Sequence, residues 1–228
     1  MVVYTRPPIL GKVKTRLGPV FTPEEALAVH EAMLADTVER IIHAASGLAV
    51  PFLSWSEPWT PRGDLAMLLQ PVTVEVQTGD DLGERIAATF QERLHGGFRQ
   101  VVIIGSDSPS VPLDHVRRSF AILDHSDIVL GPARDGGYYM IGCKMLHLKL
   151  FRNVPYGTDQ VTAITRQRMK DLGIAHGELP VWYDVDTPDD LVHLWKDLAR
   201  MRAKGYPDLP RRTYQLLRTL VPGRLDTR

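Results

Sequence analysis

The chain of 228 residues has one cysteine, Cys143, so no internal disulfide framework can hold it together. Cys143 closes an apolar run and reads as a small buried side chain rather than a reactive thiol. Net charge is also missing: 27 basic and 27 acidic residues cancel, and no global field points to nucleic acid or an anionic membrane as the partner. Any anion site must be local. No stretch approaches the roughly 18 consecutive apolar residues that a membrane span needs. The N-terminal Met-Val-Val-Tyr, turning basic only at Arg6, has the wrong order for a secretory signal. A cytoplasmic enzyme with no membrane span is the expected class.

Several catalytic signatures are absent as well. No glycine, four residues and Gly-Lys-Ser/Thr follow one another as in a P-loop, and no Gly-x-Gly-x-x-Gly follows the first strand, which counts against an NAD-binding domain. The eight histidines, His30, His43, His95, His115, His125, His147, His176 and His193, lack metal-ligand spacing and are expected mostly at the surface. No Gly-x-Ser-x-Gly elbow occurs.

What remains is an ordinary globular composition, 44% hydrophobic and 24% charged, rich enough to bury a substantial core. The expected organisation is a single domain over 1–205 with a tail, 206–228, that packs on the domain or forms a dimer contact. Met1 to Thr5 reads as a strand feeding a loop from Arg6 to Leu17. Thr22-Pro23-Glu24-Glu25 is a capping box opening a long amphipathic helix. Strands follow at Val50 to Trp55 and Val72 to Gln77, with a short helix near Leu65 between them, and Asp81 caps a helix through Leu94. Val101-Val102-Ile103-Ile104 is the unbroken β-branched run of a central parallel strand buried on both faces. Further elements are a helix from Leu113 to Leu123, strands at Ile128 to Leu130 and Tyr138 to Gly142, and a helix from Thr158 to Leu172. A weak strand near Ile174 to Leu179 and a last helix capped by Thr187 complete the set. The fold class is therefore α/β, a three-layer Rossmann-like sandwich on a mostly parallel sheet.

Three constellations could carry chemistry. Gly11-Lys12-Val13-Lys14-Thr15-Arg16 puts three cations and a glycine directly after the first strand, the donors that phosphate groups require. Ser106-Asp107-Ser108-Pro109 follows the central strand, and Asp184-Val185-Asp186 precedes the last helix. Asp107 with Asp186 or Asp184 would suffice for Mg²⁺ or Mn²⁺, which takes one or two carboxylates and completes its shell with phosphate oxygens and water. The competing reading of Asp184 and Asp186 is helix capping and loop solvation. In the third constellation, Gly131 to Tyr139, Asp135 could serve as general base on an acceptor hydroxyl or as hydrogen-bond acceptor for a sugar, with Gly136 and Gly137 admitting substrate. A tight turn explains the glycines equally well.

Taken in order, Gly11 to Leu17, Gly79 to Arg85, Gly105 to Pro109, Gly131 to Tyr139 and Asp184 to Leu191 resemble the radical-SAM/selenodomain-associated transferase type 1 family. This is a GT-A-like group of the nucleotide-diphospho-sugar transferase superfamily, long known as a domain of unknown function. The five motifs cover nearly the whole chain, with departures at Arg6, Leu10 and Tyr156-Gly157-Thr158. The resemblance implies that Lys14 and Arg16 face the donor phosphates and that Gln77, Leu82 and Gly83 line the base pocket. It further implies that Asp107 and Asp186 carry the metal, and that Asp135 with Gly136 approaches the acceptor or sugar. The expected activity is glycosyl transfer from a nucleoside diphosphate sugar to an unknown acceptor. Two alternatives stand beside it: a nucleotidylyltransferase releasing pyrophosphate from a nucleoside triphosphate, and a nucleotide-binding module without catalysis. A homodimer is possible under each.

Overall fold

The computed structural model describes residues 1–224. The last four positions of the expected tail, 225–228, lie outside the described residues. Seven strands form one sheet: β1 (Val2–Thr5), β2 (Phe52–Trp55), β3 (Thr73–Val76), β4 (Val101–Gly105), β5 (Ile128–Pro132), β6 (Tyr138–Cys143) and β7 (His176–Glu178). Their spatial order is β3-β2-β1-β4-β6-β5-β7, and β6 alone runs antiparallel to its neighbours. The chain winds from β1 outward through β2 to β3, then returns to place β4 on the other side of β1. β1 and β4 therefore flank the point where the winding reverses, and the loops leaving their carboxyl ends diverge to leave a crevice.

Among the described residues there are seven α-helices: α1 (Pro23–Ala45), α2 (Gly63–Leu68), α3 (Leu82–His95), α4 (Leu113–His125), α5 (Val161–Asp171), α6 (Pro188–Ala203) and α7 (Arg211–Leu220). Side chains on a strand alternate between faces, and the two cores follow that alternation. Val3, Val102 and Ile104 pack with Leu34, Ile41 and Val116 on one face, while Val2, Ile103 and Ile141 pack with Ile86, Phe90 and Met169 on the other. Burial on both faces is why β4 is unbroken in its apolar run. Cys143 closes β6 fully buried, and burial pushes its thiol well above the ordinary range.

Two expected capping boxes form as written. The Glu25 N–H donates to Thr22 Oγ1 at 3.3 Å while Glu25 Oε2 accepts from the Thr22 N–H at 2.9 Å, and Thr187 and Asp190 repeat the arrangement at α6. Asp81 caps α3 by accepting from the Glu84 N–H at 2.8 Å. Most of the histidines are exposed or partly exposed, as expected; His30 and His115 are buried, His115 paired through Nδ1 with the Tyr139 hydroxyl at 2.8 Å.

α7 lies against α1, and the contact is polar at its start and apolar along its length. Asp36, buried in α1, accepts the backbone N–H groups of Arg212 and Thr213 at 3.2 and 2.8 Å, so that a carboxylate meets the positive end of α7. Leu217 and Val221 then enter the third apolar cluster beside Val29, Met33 and Leu194. Asp36→Ala leaves those donors unpaired, and a loss of about 1–3 kcal/mol in urea unfolding is expected. Hydrogen exchange should quicken in residues 211–220 before any other helix.

Candidate active site

The crevice between β1 and β4 is built around one lysine. Lys14 sits in the left-handed region, with φ 47° and ψ 37°, a conformation rare for a residue with a Cβ. Its side chain turns inward, and Nζ donates to Asp107 Oδ1 at 2.5 Å, to the Val185 carbonyl at 2.7 Å and to Asp186 Oδ1 at 3.1 Å. An ammonium has three protons, and all three are committed. The Lys14 side chain is 3% exposed, whereas those of Asp107 and Asp186 are 42% and 40% exposed. Burial works to lower the Lys14 pKa, but the two carboxylates prevail and raise it. Burial would likewise raise the Asp107 pKa, yet the ammonium beside it holds the carboxyl below its ordinary value.

Around this pair opens a cavity of about 350 Å³ lined by Arg6, Lys12, Val13, Lys14, Thr15, Arg16, His30, Asp107 and Asp186. Lys12 reaches Glu57 only at 3.8 Å on the surface, and Arg16 reaches Asp186 Oδ2 at 3.5 Å, so both guanidinium and ammonium remain open to solvent. His30 faces the Arg6 carbonyl through Nε2 at 3.0 Å. A carbonyl can only accept, so Nε2 carries the proton; burial lowers the ring's pKa and keeps it neutral at pH 7.

A second cavity, of about 460 Å³, shares Arg16 and Asp186 with the first and is lined also by Arg134, Asp135, Asp184, Asp190 and His193. An isolated parallel bridge between Ala133 and Trp182 continues the β5–β7 pairing, and the Arg134 N–H donates to the Trp182 carbonyl at 3.0 Å. This draws the 182–186 segment alongside the 133–137 turn, which is how Asp135 and Asp184 come to one cavity. Asp184 does not join Lys14. Its Oδ1 lies 2.5 Å from Ser108 Oγ, and burial, with repulsion from Asp107 and Asp135, pushes its pKa up to about 7.

The helix α1 holds the loops that carry these groups. His30, Thr37 and Arg40 lie along one side of it and meet the carbonyls of Arg6, Ser106, Pro109 and Val111. Arg40 is buried, donating to Pro109 and, at 2.9 Å, to Val111, and it is held in turn by the Asp208 carbonyl and carboxylate at 2.8 and 3.0 Å. The loop after β4 is thus fixed from behind by a residue 67 positions upstream of Asp107 in the chain numbering.

Several expectations require correction. Lys14 spends its protons on protein oxygens, leaving Arg6, Lys12 and Arg16 as the cations open to an anion. Gly83 stands outside both cavity linings: a Cβ there would overlap the Phe151 carbonyl and the Tyr156 ring, so glycine lets α3 lie against that segment. Leu82 is exposed, and Gln77 donates through Nε2 to the Ser54 carbonyl at 2.9 Å; neither lines the two cavities. Gly11, at φ 74°, turns the loop ahead of Lys12 but stands outside the cavity lining. Gly136, at φ 88°, is backed by the Asp159 main chain, and Gly137 donates its N–H to Asp135 Oδ1 at 2.9 Å, which is the geometry of a turn. Arg6, His30 and His193 were not singled out by sequence. His30 could have been, since it falls between Ala26 and Met33 on the apolar side of α1.

Two predictions follow from this geometry. Arg40→Ala strands the Pro109 and Val111 carbonyls and should cost about 2–4 kcal/mol in denaturant unfolding, with Arg40→Lys recovering only part. Asp184 holds a proton to about pH 7 in the folded protein but loses it near its ordinary value when unfolded, so its contribution lowers stability as pH rises from about 4 to 7. Asp184→Asn is therefore expected to be more stable than the parent at pH 8 and to gain little at pH 4, as read by thermal unfolding at both.

Known proteins resemble this chain over most of its length. The 2-phospho-L-lactate guanylyltransferase of Haloarcula marismortui is 28% identical over 191 residues, 82% of each chain. A candidate nucleotide-diphospho-sugar transferase of Desulfovibrio desulfuricans G20 is 29% identical and superposes with a TM-score of 0.76, covering 95% of this chain and 92% of its own. A cytidylyltransferase of Leptospira borgpetersenii, at 12% identity, shares the fold with a TM-score of 0.52 over 92% of this chain and 95% of its own. The nucleotide-diphospho-sugar transferase and nucleotidyltransferase architecture is thus the fold of this chain. The family described as an uncharacterized protein conserved in bacteria (DUF2064) matches residues 29–158, more than half of the sequence, and the chain belongs to it.

Proposed function

We propose that the chain is a transferase that moves a nucleotidyl group: an acceptor oxygen attacks the α-phosphorus of a nucleoside triphosphate and pyrophosphate departs. The observation that carries this reading is the basic cavity at the carboxyl edge of β1 and β4, where Arg6, Lys12 and Arg16 stand open and His30 adds a neutral wall. A departing pyrophosphate gathers negative charge on several oxygens, and guanidinium and ammonium groups fixed ahead of the reaction stabilise it. The guanylyltransferase relative supports the same reading. Within its family, the five motifs from Gly11 to Leu191 favour the radical-SAM/selenodomain-associated transferase type 1 group.

The acceptor would occupy the adjoining cavity, across Arg16 and Asp186, which places donor and acceptor on opposite sides of one residue pair. Arg134, whose NH1 lies 3.1 Å from His193 Nε2, lines this cavity and would meet an acceptor's anionic end, and Asp135 or Asp184, which line it too, would take an acceptor proton. For a divalent ion such as Mg²⁺ or Mn²⁺, the fit is conditional. Asp107 and Asp186 are half exposed and suit a hard cation that brings phosphate oxygens with it, but both Oδ1 atoms are taken by Lys14. An ion held there by Asp107 and Asp186 would offset phosphate charge; the chain's own cations bind and orient the phosphates.

The second reading, glycosyl transfer from a nucleoside diphosphate sugar, is favoured by the lining of the acceptor cavity. Its five carboxylates, Asp135, Asp184, Asp186, Asp189 and Asp190, against two guanidinium groups are suited to hydroxyls. The two readings part at the product. Incubation of a panel of nucleoside triphosphates and nucleoside diphosphate sugars with candidate acceptors that carry a phosphate or hydroxyl group should release pyrophosphate from one triphosphate in an acceptor-dependent way, detected with a coupled pyrophosphatase, and Arg16→Ala should slow that release by about 10²-fold or more. Free nucleoside diphosphate from a sugar donor, without pyrophosphate from any triphosphate, would replace the first reading by the second.

A further inference from the structure

The cation at the centre of the site belongs to the protein itself. Lys14 Nζ lies between Asp107 Oδ1 and Asp186 Oδ1 and is closed off by the Val185 carbonyl, with all three protons donated. The loop holds a residue with a Cβ in the left-handed region to aim the side chain there, which marks the placement as imposed by the fold rather than by side-chain drift. Asp184, the carboxylate that could have made a third ligand, is turned to Ser108. Among the described residues no group of three or more histidine, cysteine, aspartate or glutamate side chains is arranged to hold a metal ion.

We propose that Lys14 is a tethered cation occupying the place between Asp107 and Asp186 that a divalent ion would otherwise take, so that the protein without nucleotide excludes free divalent ions from its carboxylate pair. Without nucleotide phosphates to offset the charge, an ammonium and a divalent ion on the same two oxygens would stand within a few ångströms of each other at strong repulsion. Lys14 also keeps the two carboxylates from repelling one another, a task that would fall to the ion in its absence. The inference concerns the resting protein and holds whichever group the enzyme transfers.

The test uses Mn²⁺ alone, with free ion followed by electron paramagnetic resonance. Lys14→Met should hold one Mn²⁺ per chain, and the parent protein should bind the ion at that site about a hundredfold more weakly. The double variant Lys14→Met/Asp107→Asn should lose it again. Equal binding by parent and Lys14→Met, or none by a folded Lys14→Met, overturns the proposal. Should Lys14→Met fail to fold, the intact parent still decides: a slowly exchanging ¹⁵N ammonium signal that Asp107→Asn abolishes should be unmoved by excess Mg²⁺. A signal that Mg²⁺ displaces would overturn the proposal.

Discussion

Three loops that are far apart in sequence meet on one ammonium. Lys14 follows β1, Asp107 follows β4, and Val185 and Asp186 precede α6, and the sheet order brings the first two loops together. Because β4 lies beside β1 at the reversal of winding, the two loops leave the same edge side by side, and the Val185 N–H donates to the Asp107 carbonyl at 3.0 Å to bring in the third. Burying a charge is costly unless it is paired and fully hydrogen-bonded. Lys14 meets that condition with two carboxylates and a carbonyl, so both cavities inherit their shared wall from it.

The supports behind this centre are side chains of α1 that bind the backbone carbonyls of the loops. Loops at a ligand edge carry carbonyl groups that no ladder satisfies, and α1 supplies the missing donors from His30, Thr37 and Arg40. Arg40 is anchored in turn by Asp208, and Asp36, one turn earlier on α1, receives the start of α7. The C-terminal segment thereby backs the loop that bears Asp107, although it contributes nothing to either cavity lining. This arrangement separates the rigid part of the site from the open cations Arg6, Lys12 and Arg16, which stay free to follow an anion.

Local signals were legible wherever the physics is local. Capping boxes at Thr22 and Thr187 depend on residues three apart, and the buried strand β4 on four consecutive β-branched residues, so both could be read directly. The position of Asp107 was legible for the same reason, as the residue following a central strand. Gly83 and Gly136 were read as openings for a ligand, but what determines them is the Phe151 and Asp159 main chain, some 68 and 23 residues away in the numbering. His30 and Arg40 fall on the buried side of α1, which marks them as polar groups needing partners, but the loop carbonyls they meet are not legible in the sequence.

Sequence alone determined the α/β class, the ligand edge and the residue types gathered there, since strand patterning and helix caps act within a few residues and the motifs lie at strand ends. Only the tertiary structure decided how those residues divide their work. Whether Lys14 meets a phosphate or a carboxylate, and whether Asp184 joins Asp107 or turns to Ser108, depends on distances of a few ångströms between segments more than 70 residues apart. Hydrogen bonds and ion pairs fall off over that same range, so chemistry that is ambiguous in the chain becomes definite only when the loops are packed.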